Sequence, residues 1–463
     1  VIGGGLAGLS AGIALAESGW RVRLFEQRPF LGGRATSYVL PDGEHVDNCQ
    51  HVTLGCCTNL EDFYRRVGAG NKIRYFDRLL FQDPQGRIGT MQAGVLPAPL
   101  HMTGSFLTFA PLAAADKKSI AHALLDILRG KGRTADLDEP GGISMLEWLR
   151  RRKQTAGAIE RFWRVVLVSA LDEELDRTDA RFGVDVFWKG FLSNRSGYRM
   201  GVPSVPLAQL YDGCQDEIER RGGEVHLRTP VRAIHTDTTA LAGVEFDGGR
   251  QESADAYILA IPHQPLAELL PSAIKEQVPA LAEIDQIQVS PITGVHFWFD
   301  RQVMLEPFVT LLDTTTQWIF NKSKLYGGGN GTEKGQYLQL VISASYNLLQ
   351  KSRQEIVDLC LKEVHQALPE SRNAKLVKST VIKETAATFS PEPGIDHLRP
   401  TQHTSVKGLY LAGDWTATGW PATMEGAVRS GYLAAEALLK DVGTPRSFLR
   451  PDLPVETLVR WLG

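Results

Sequence analysis

The chain opens Val1-Ile2-Gly3-Gly4-Gly5-Leu6-Ala7-Gly8, a G-x-G-x-x-G run on the end of an apolar strand. Leu9, Ile13, Leu15 and Ala16 continue at helical spacing to a stop near Gly19. Arg21-Val22-Arg23-Leu24-Phe25-Glu26 then alternates like a strand that closes on an acid. Gly3 permits a tight turn, Gly5 lets backbone amides approach a pyrophosphate, and Gly8 lets the helix pack close to the strand. Glu26, 18 residues after Gly8, stands where a carboxylate accepts hydrogen bonds from ribose hydroxyls. Alone, such a glycine run is only a turn. With strand, helix, second strand and acid in order, it specifies a Rossmann-like dinucleotide-binding unit in an α/β fold. Only the end of the first strand is present, so a few upstream residues are expected to lie outside this chain.

Composition narrows the class. The 463 residues are 43% hydrophobic and 22% charged, within the range of globular proteins, and suggest two or three structural units. A net charge of −3 argues against a nucleic-acid partner. No apolar run approaches the roughly 18–20 residues of a spanning helix. Cys49, Cys56, Cys57, Cys214 and Cys360 form no C-x-x-C pair, so no zinc knuckle or dithiol motif is written here and no metal is expected. Scattered thiols and the lack of a signal-like start suggest the cytoplasm.

Two further blocks bear on the cofactor. After Glu26 comes Arg28-Pro29-Phe30-Leu31-Gly32-Gly33-Arg34. Far away, Gly408-Leu409-Tyr410-Leu411-Ala412-Gly413-Asp414 reads as a short buried strand ending in Gly-Asp. A loop with Trp415, Gly419, Trp420 and Pro421 follows, and a helix starts near Met424-Glu425-Gly426 and runs to about Leu439. Small residues at 427, 431, 434 and 435 would let that helix pack closely.

Between these ends, residues 60–68, 144–152, 156–170, 207–221 and 351–368 read as helices. Arg150-Arg151-Arg152-Lys153 reads as a solvated helix end. Short strands are expected at 224–227, 231–234, 243–246 and 257–262, and a sheet from about 290 to 345. Tyr326-Gly327-Gly328-Gly329-Asn330-Gly331 has neither the preceding strand nor the following helix of a phosphate loop, and reads as a hairpin or flexible loop. With no second dinucleotide unit, an NAD(P)H domain is not expected. Residues 96–133 combine Leu96, Leu100, Phe106, Leu107 and Phe109 with Arg129, Lys131 and Arg133. Such a segment either lies on a bilayer surface or covers the protein's own pocket, and both imply a greasy ligand.

Gly33-Arg34, Gly413-Asp414 and the helix at Met424 resemble the flavin-containing amine oxidase and phytoene desaturase superfamily. The blocks Asp47-Asn48-Cys49-Gln50-His51, Leu96-Pro97-Ala98-Pro99-Leu100-His101, Gly201-Val202-Pro203-Ser204-Val205-Pro206-Leu207 and Pro421 to Gly431 resemble, more closely, the hydroxysqualene dehydroxylase family of squalene-associated FAD-dependent desaturases. That family usually has glycine where Cys49 sits, and the Met424–Gly431 block also occurs in plant-type carotene desaturases.

The resemblance implies a glutathione-reductase-like FAD domain with an inserted α+β substrate domain and a partly helical apolar segment. The expected division is FAD-binding parts at 1–75, 201–265 and 391–445, a mainly helical segment at 76–200, a substrate sheet at 266–390 and a tail at 446–463. It also implies that Val231 meets the adenine through its backbone, that Asp414 binds the ribityl or pyrophosphate region, and that the helix at Met424 and Gly426 faces the flavin pyrimidine. The implied reaction is reductive removal of a hydroxyl from hydroxysqualene, with His51 and Asp47 as candidate acids and His101 at the entrance. An unshifted histidine, with a pKa of about 6.5, could donate at neutral pH. Carotenoid desaturation is the alternative, followed by amine oxidation and a non-catalytic isoprenoid escort. An external electron donor or acceptor is implied, as is contact of residues 96–133 with the inner face of the cytoplasmic membrane.

Overall fold

The structure, a computed structural model, describes residues 1–237, 241–327 and 335–462. Ile2 bridges in parallel to Phe25 on one side and to Leu259 on the other. Arg23–Phe25 runs parallel to Glu224–His226, and Tyr257–Leu259 parallel to Leu409–Leu411. The parallel layer thus reads 224–226, 23–25, 1–2, 257–259, 409–411 across. Leu24, Leu259, Leu409 and Leu411 are fully buried, as strands covered on both faces require.

The helices Leu6–Glu17 and Met424–Asp441 cross in contact. Gly431 makes the crossing possible: a Cβ there would lie 2.1 Å from Ser10 Oγ and 2.2 Å from Ala7 O. A three-stranded antiparallel sheet is formed by Val231–Thr236, Leu241–Phe246 and Gln251–Glu252.

A second, seven-stranded sheet has the order 376–389, 289–299, 336–342, 318–321, 308–311, 78–82, 88–92. The helix Arg353–Ala367, opened by a Ser352/Glu355 capping box, packs Ile356 and Cys360 against Val295, Phe297, Leu338 and Leu340 of this sheet. A helical layer runs through Thr103–Thr108, Ala114–Arg129, Met145–Arg151 and residues 156–192. Residues 156–192 include two π-helical turns, Ile159–Trp163 and Trp188–Leu192.

Three expectations change. Residues 76–200 are not mainly helical throughout, because Arg78–Gln82 and Ile88–Gln92 form a hairpin that joins the seven-stranded sheet beside Phe308–Leu311. Leu79, Leu80 and Phe81 are all buried, so this strand carries no alternation to read. The boundaries at 75 and 200 cut one small sheet, in which Met200–Pro203 lies between Thr53–Leu54 and Ile73–Phe76. Residues 207–221 split into a 3₁₀ turn, Leu207–Tyr211, and a helix, Asp212–Glu219.

The 14-residue strand Leu376–Phe389 was not expected from the sequence at all. The glycine loop from Gly328 to Gly331 lies outside the described residues. The tail packs back: Glu456 Oε2 accepts from Ala98 N at 2.9 Å and Oε1 from Arg195 N at 2.8 Å. Among the described residues no helix is long and apolar enough to cross a membrane, and no side-chain group could hold a metal ion.

Candidate active site

The glycine cradle is set by backbone geometry. Gly3 has φ +107°, and a Cβ there would lie 2.4 Å from Ala260 O. A Cβ on Gly8 would lie 1.9 Å from Gly3 O. Gly5 is the N-cap of Leu6–Glu17 and gives its first turn no side-chain cap, which leaves the helix end suited to an anion. Gly33, at φ +61°, comes so close that a Cβ there would lie 3.0 Å from Gly5 Cα. Glu26 accepts from Gly4 N and Arg28 N, each at 2.7 Å, so it also holds the loop on which a ribose would sit. A cradle that a methyl would fill, beside an uncapped helix start, fits a dinucleotide. Val231 begins its strand opposite Phe246, and a wall aromatic, Phe25, stacks on His226 at 4.9 Å.

The distant half of the site meets the first half at Arg34. Its guanidinium holds the Asp414 carboxylate at 2.7 and 2.9 Å and donates to Ala387 O at 2.7 Å. Gly413, at φ +148°, donates its N–H to Ser430 Oγ at 2.8 Å. Thr423 caps the helix Met424–Asp441 by accepting from Gly426 N at 3.0 Å. The Gly426 amide is therefore engaged, and the need for glycine is spatial: a Cβ would lie 2.7 Å from Pro421 O. Arg399, buried, gathers this loop by donating through Nη2 to the carbonyls of Asp414, Thr416 and Trp420 at 3.1, 2.7 and 2.8 Å.

Asp47 and His51, the expected proton donors, are both engaged by neighbouring groups of the chain. Asp47 is buried at a seam, where it accepts from Lys322 Nζ, Tyr326 OH, Ser37 Oγ and Leu207 N at 2.7, 2.7, 2.8 and 3.0 Å. Burial alone would raise its pKa, but the Lys322 ammonium and these donors outweigh burial and hold it below the ordinary carboxylate value. Lys322 is itself fully buried and also donates to Gln50 Oε1 at 2.6 Å. His51 Nδ1 lies 3.0 Å from Cys49 O, and burial holds its pKa below the ordinary histidine value. It is therefore neutral at pH 7, against the sequence expectation of an unshifted imidazole. Cys49 takes no left-handed conformation, so the usual glycine is not required for φ at this position. Burial pushes the Cys49 thiol up to about 12.

A cavity of about 500 Å³ adjoins this seam. Its wall runs from Val52 and Leu54 past Trp420, Pro421, Thr423 and Met424, and is otherwise nearly all apolar. Residues 96–133 form its cover: Leu100, Met102, Phe106, Leu107, Phe109, Leu112, Leu124, Leu125 and Leu128 all face it. Leu100, Leu107 and Leu125 of this cover are also exposed. Neither Asp47 nor His51 lines the wall. His101 is buried behind it against Tyr198, with ring centroids 5.9 Å apart.

The comparisons with known proteins agree with this geometry. The sequence profile described as flavin containing amine oxidoreductase matches residues 6–439. Zeta-carotene desaturase from Synechocystis sp. is 27% identical over 475 residues, covering 95% of this chain and 96% of that protein. The 15-cis-phytoene desaturase of Arabidopsis thaliana, chloroplastic/chromoplastic, is 27% identical over 466 residues, covering 95% of this chain and 80% of that protein. Among solved structures, an oxidoreductase from Methanosarcina mazei superposes with a TM-score of 0.72 at 18% identity, covering 95% of this chain and 99% of the other.

Proposed function

Because this chain belongs to the flavin-containing amine oxidoreductase family and is an FAD-dependent oxidoreductase, we propose that it exchanges hydride with a long-chain isoprenoid. The observation that carries this reading is the apolar cavity of about 500 Å³ ending at the loop and helix start beside Asp414. A small polar amine would find almost no partners in that wall, whereas a hydrocarbon chain gains from every apolar contact. The size of the cavity is in the range of enclosed ligand sites.

FAD, when bound, supplies a two-electron hydride acceptor or donor. Gly3, Gly5, Gly8, Glu26 and the backbone at Val231 are proposed to hold its nucleotide half, and Gly33, Arg34, Gly413 and Asp414 its middle. Met424, Gly426 and the helix they begin are proposed to face its ring. Asp47 and His51 are assigned positioning roles, fixing the 47–54 segment whose Val52–Leu54 end lines the cavity.

Two readings of direction follow. The carotenoid desaturase relatives favour oxidation, in which hydrogens leave a polyene precursor. The blocks at Asp47–His51, 96–101, 201–207 and 421–431 favour reductive dehydroxylation of hydroxysqualene to squalene. In either direction electrons pass to or from an external partner. The exposed Leu100 and Leu107 of the cavity cover, with Leu96 beside them in sequence, support loading from the inner face of the cytoplasmic membrane.

An anaerobic experiment separates the readings. Bleaching of oxidised flavin by phytoene or zeta-carotene is the result expected of a desaturase. Reoxidation of prereduced flavin by hydroxysqualene, matched by squalene formed, is the result expected of a dehydroxylase. No spectral change with any isoprenoid would overturn the proposal.

A further inference from the structure

An isoprenoid hydrocarbon or its allylic alcohol carries no ionisable group. Each hydride exchanged is nevertheless matched by one proton, and a titratable group lining the cavity is one carrier for it. Four residues with charged side chains line the cavity: Arg161, Asp185, Lys189 and Glu425. Arg161 pairs with Asp313 at 2.9 Å and donates to Pro111 O at 3.1 Å, and a guanidinium does not give up its proton. Glu425 is fully buried with both oxygens engaged, accepting from Asn59 Nδ2 at 2.8 Å and Leu60 N at 2.7 Å.

Asp185 is different. Its Oδ2 accepts from Lys189 Nζ at 2.8 Å, yet 32% of the side chain remains accessible, and the residue is part of the cavity lining. Lys189 is fixed in turn, donating to Gly419 O at 3.3 Å with its ammonium 5.0 Å from the Trp420 ring centre. The carboxylate is thus tied to the loop that leads into Met424. The helix Ala180–Phe187 passes into the π-helical turn Trp188–Leu192 at this pair, a wide turn that recurs at functional sites.

Resting on the isoprenoid reading above, the geometry points to Asp185, held by Lys189, as the proton-transfer residue of the cavity. In desaturation, bound FAD would supply the hydride acceptor for one carbon, and the neighbouring carbon would give its proton to the Asp185 carboxylate. The electron pair of that second C–H bond becomes the new double bond. In dehydroxylation, the Asp185 carboxylic acid gives its proton to the hydroxyl, the C–O bond breaks, and water leaves. Bound FAD in its reduced state would supply the hydride that balances the loss of water. Burial raises the Asp185 pKa; Lys189 and Arg133 oppose that rise and Asp452 adds to it. The net upward direction suits a carboxyl that trades its proton closer to neutrality.

The first test needs no turnover. N,N-dimethyldodecylamine, an ammonium on an alkyl chain, is titrated into the FAD-loaded protein and followed by flavin absorbance, with dodecane as the neutral control. Asp185→Asn should weaken the amine by about tenfold or more and leave dodecane unchanged. Unchanged amine binding, or equal loss of both, would overturn the assignment.

The second test is a single anaerobic turnover with whichever isoprenoid the wild type accepts. Asp185→Asn should slow the flavin change by about 10²–10⁴-fold, Asp185→Glu should restore part of it, and Lys189→Met should move the pH profile upward. A wild-type rate and pH profile in Asp185→Asn would overturn the role of Asp185 and leave the substrate reading standing. A wild-type flavin silent to every isoprenoid would overturn the substrate reading, while the amine titration would still decide whether the carboxylate faces the cavity.

Discussion

Asp47–Lys322 and Asp185–Lys189 are chemically the same pair in two regions of the molecule. The first is sealed in the seam between the 45–54 segment and the substrate sheet, with side-chain exposures of 1% and 0%. The second lines the apolar cavity, at 32% and 20%. Asp47 accepts from four donors, so its proton state is fixed and its work is to hold two parts of the chain together. Asp185 has Lys189 as its donor and keeps about a third of its side chain accessible. The chemistry of a carboxylate is thus decided less by its ion partner than by how many of its lone pairs the fold has already engaged.

The sharpest way to break this distinction is to remove each ammonium. Lys322→Met leaves a buried, unpaired carboxylate and should cost about 3–5 kcal/mol, read from the urea midpoint. The double variant Asp47→Leu/Lys322→Met should recover most of that loss. Lys189→Met should cost less than about 1 kcal/mol. Equal losses at the two sites would end the comparison.

The next effect is on cofactor retention. Asp414→Ala deprives Arg34 of both carboxylate contacts and should weaken FAD binding by about 1.5–3 kcal/mol without unfolding the chain. Dialysis followed by flavin absorbance would show it, and full occupancy would count against the assigned role.

A smaller effect separates the pairs by pH. Asp47, held below its ordinary value, binds fewer protons folded than unfolded, so its stabilisation is present above the unfolded pKa and lost as pH falls through the folded one. Asp185, held above its ordinary value, imposes a penalty that is full above its folded pKa and relieved as pH falls toward the unfolded value. Asp47→Asn and Asp185→Asn should therefore change the acid limb of stability in opposite senses. Parallel shifts would contradict the two directions.

The smallest expected effect is at the cavity cover. Leu107→Glu should reduce flotation with anionic liposomes, and salt should weaken what remains. Flotation unaltered by this change would make residues 96–133 a lid alone.

The cradle was legible in the sequence because backbone geometry admits so few residue types. Gly3, Gly8 and Gly33 stand where a Cβ would strike main chain, and that requirement is local enough to leave a motif. The pairing of Arg34 with Asp414 was only half legible: both residues were marked as flavin-binding, but their mutual contact depends on the parallel sheet closing. Lys322 was hidden because it follows an ordinary apolar strand, Trp318–Asn321, and gains its meaning from a segment 275 residues away. Asp185 and Lys189 were hidden for the opposite reason, since an i,i+4 acid–base pair on a helix reads as a solvated face. Arg399 carries no motif at all. The strand Leu376–Phe389 was missed because it is an edge strand, with lysines, threonines and a glutamate where a central strand would show apolar residues.

The layout of the parallel layer has a consequence for synthesis. Arg34 and Asp414 are separated by 380 residues, and the strand containing Ile2 lies between two neighbours made early and late. At about 5–20 residues per second, roughly 20–80 s pass between the emergence of the two halves from the ribosome. Through that interval the glycine cradle has no Asp414 to fix its arginine, and the helix Leu6–Glu17 has no Gly431 to receive Ser10. The proposed flavin site is therefore completed only after translation of the last strand and helix, and a chain stalled before Leu409 would hold every residue of the glycine fingerprint without the Arg34–Asp414 contact.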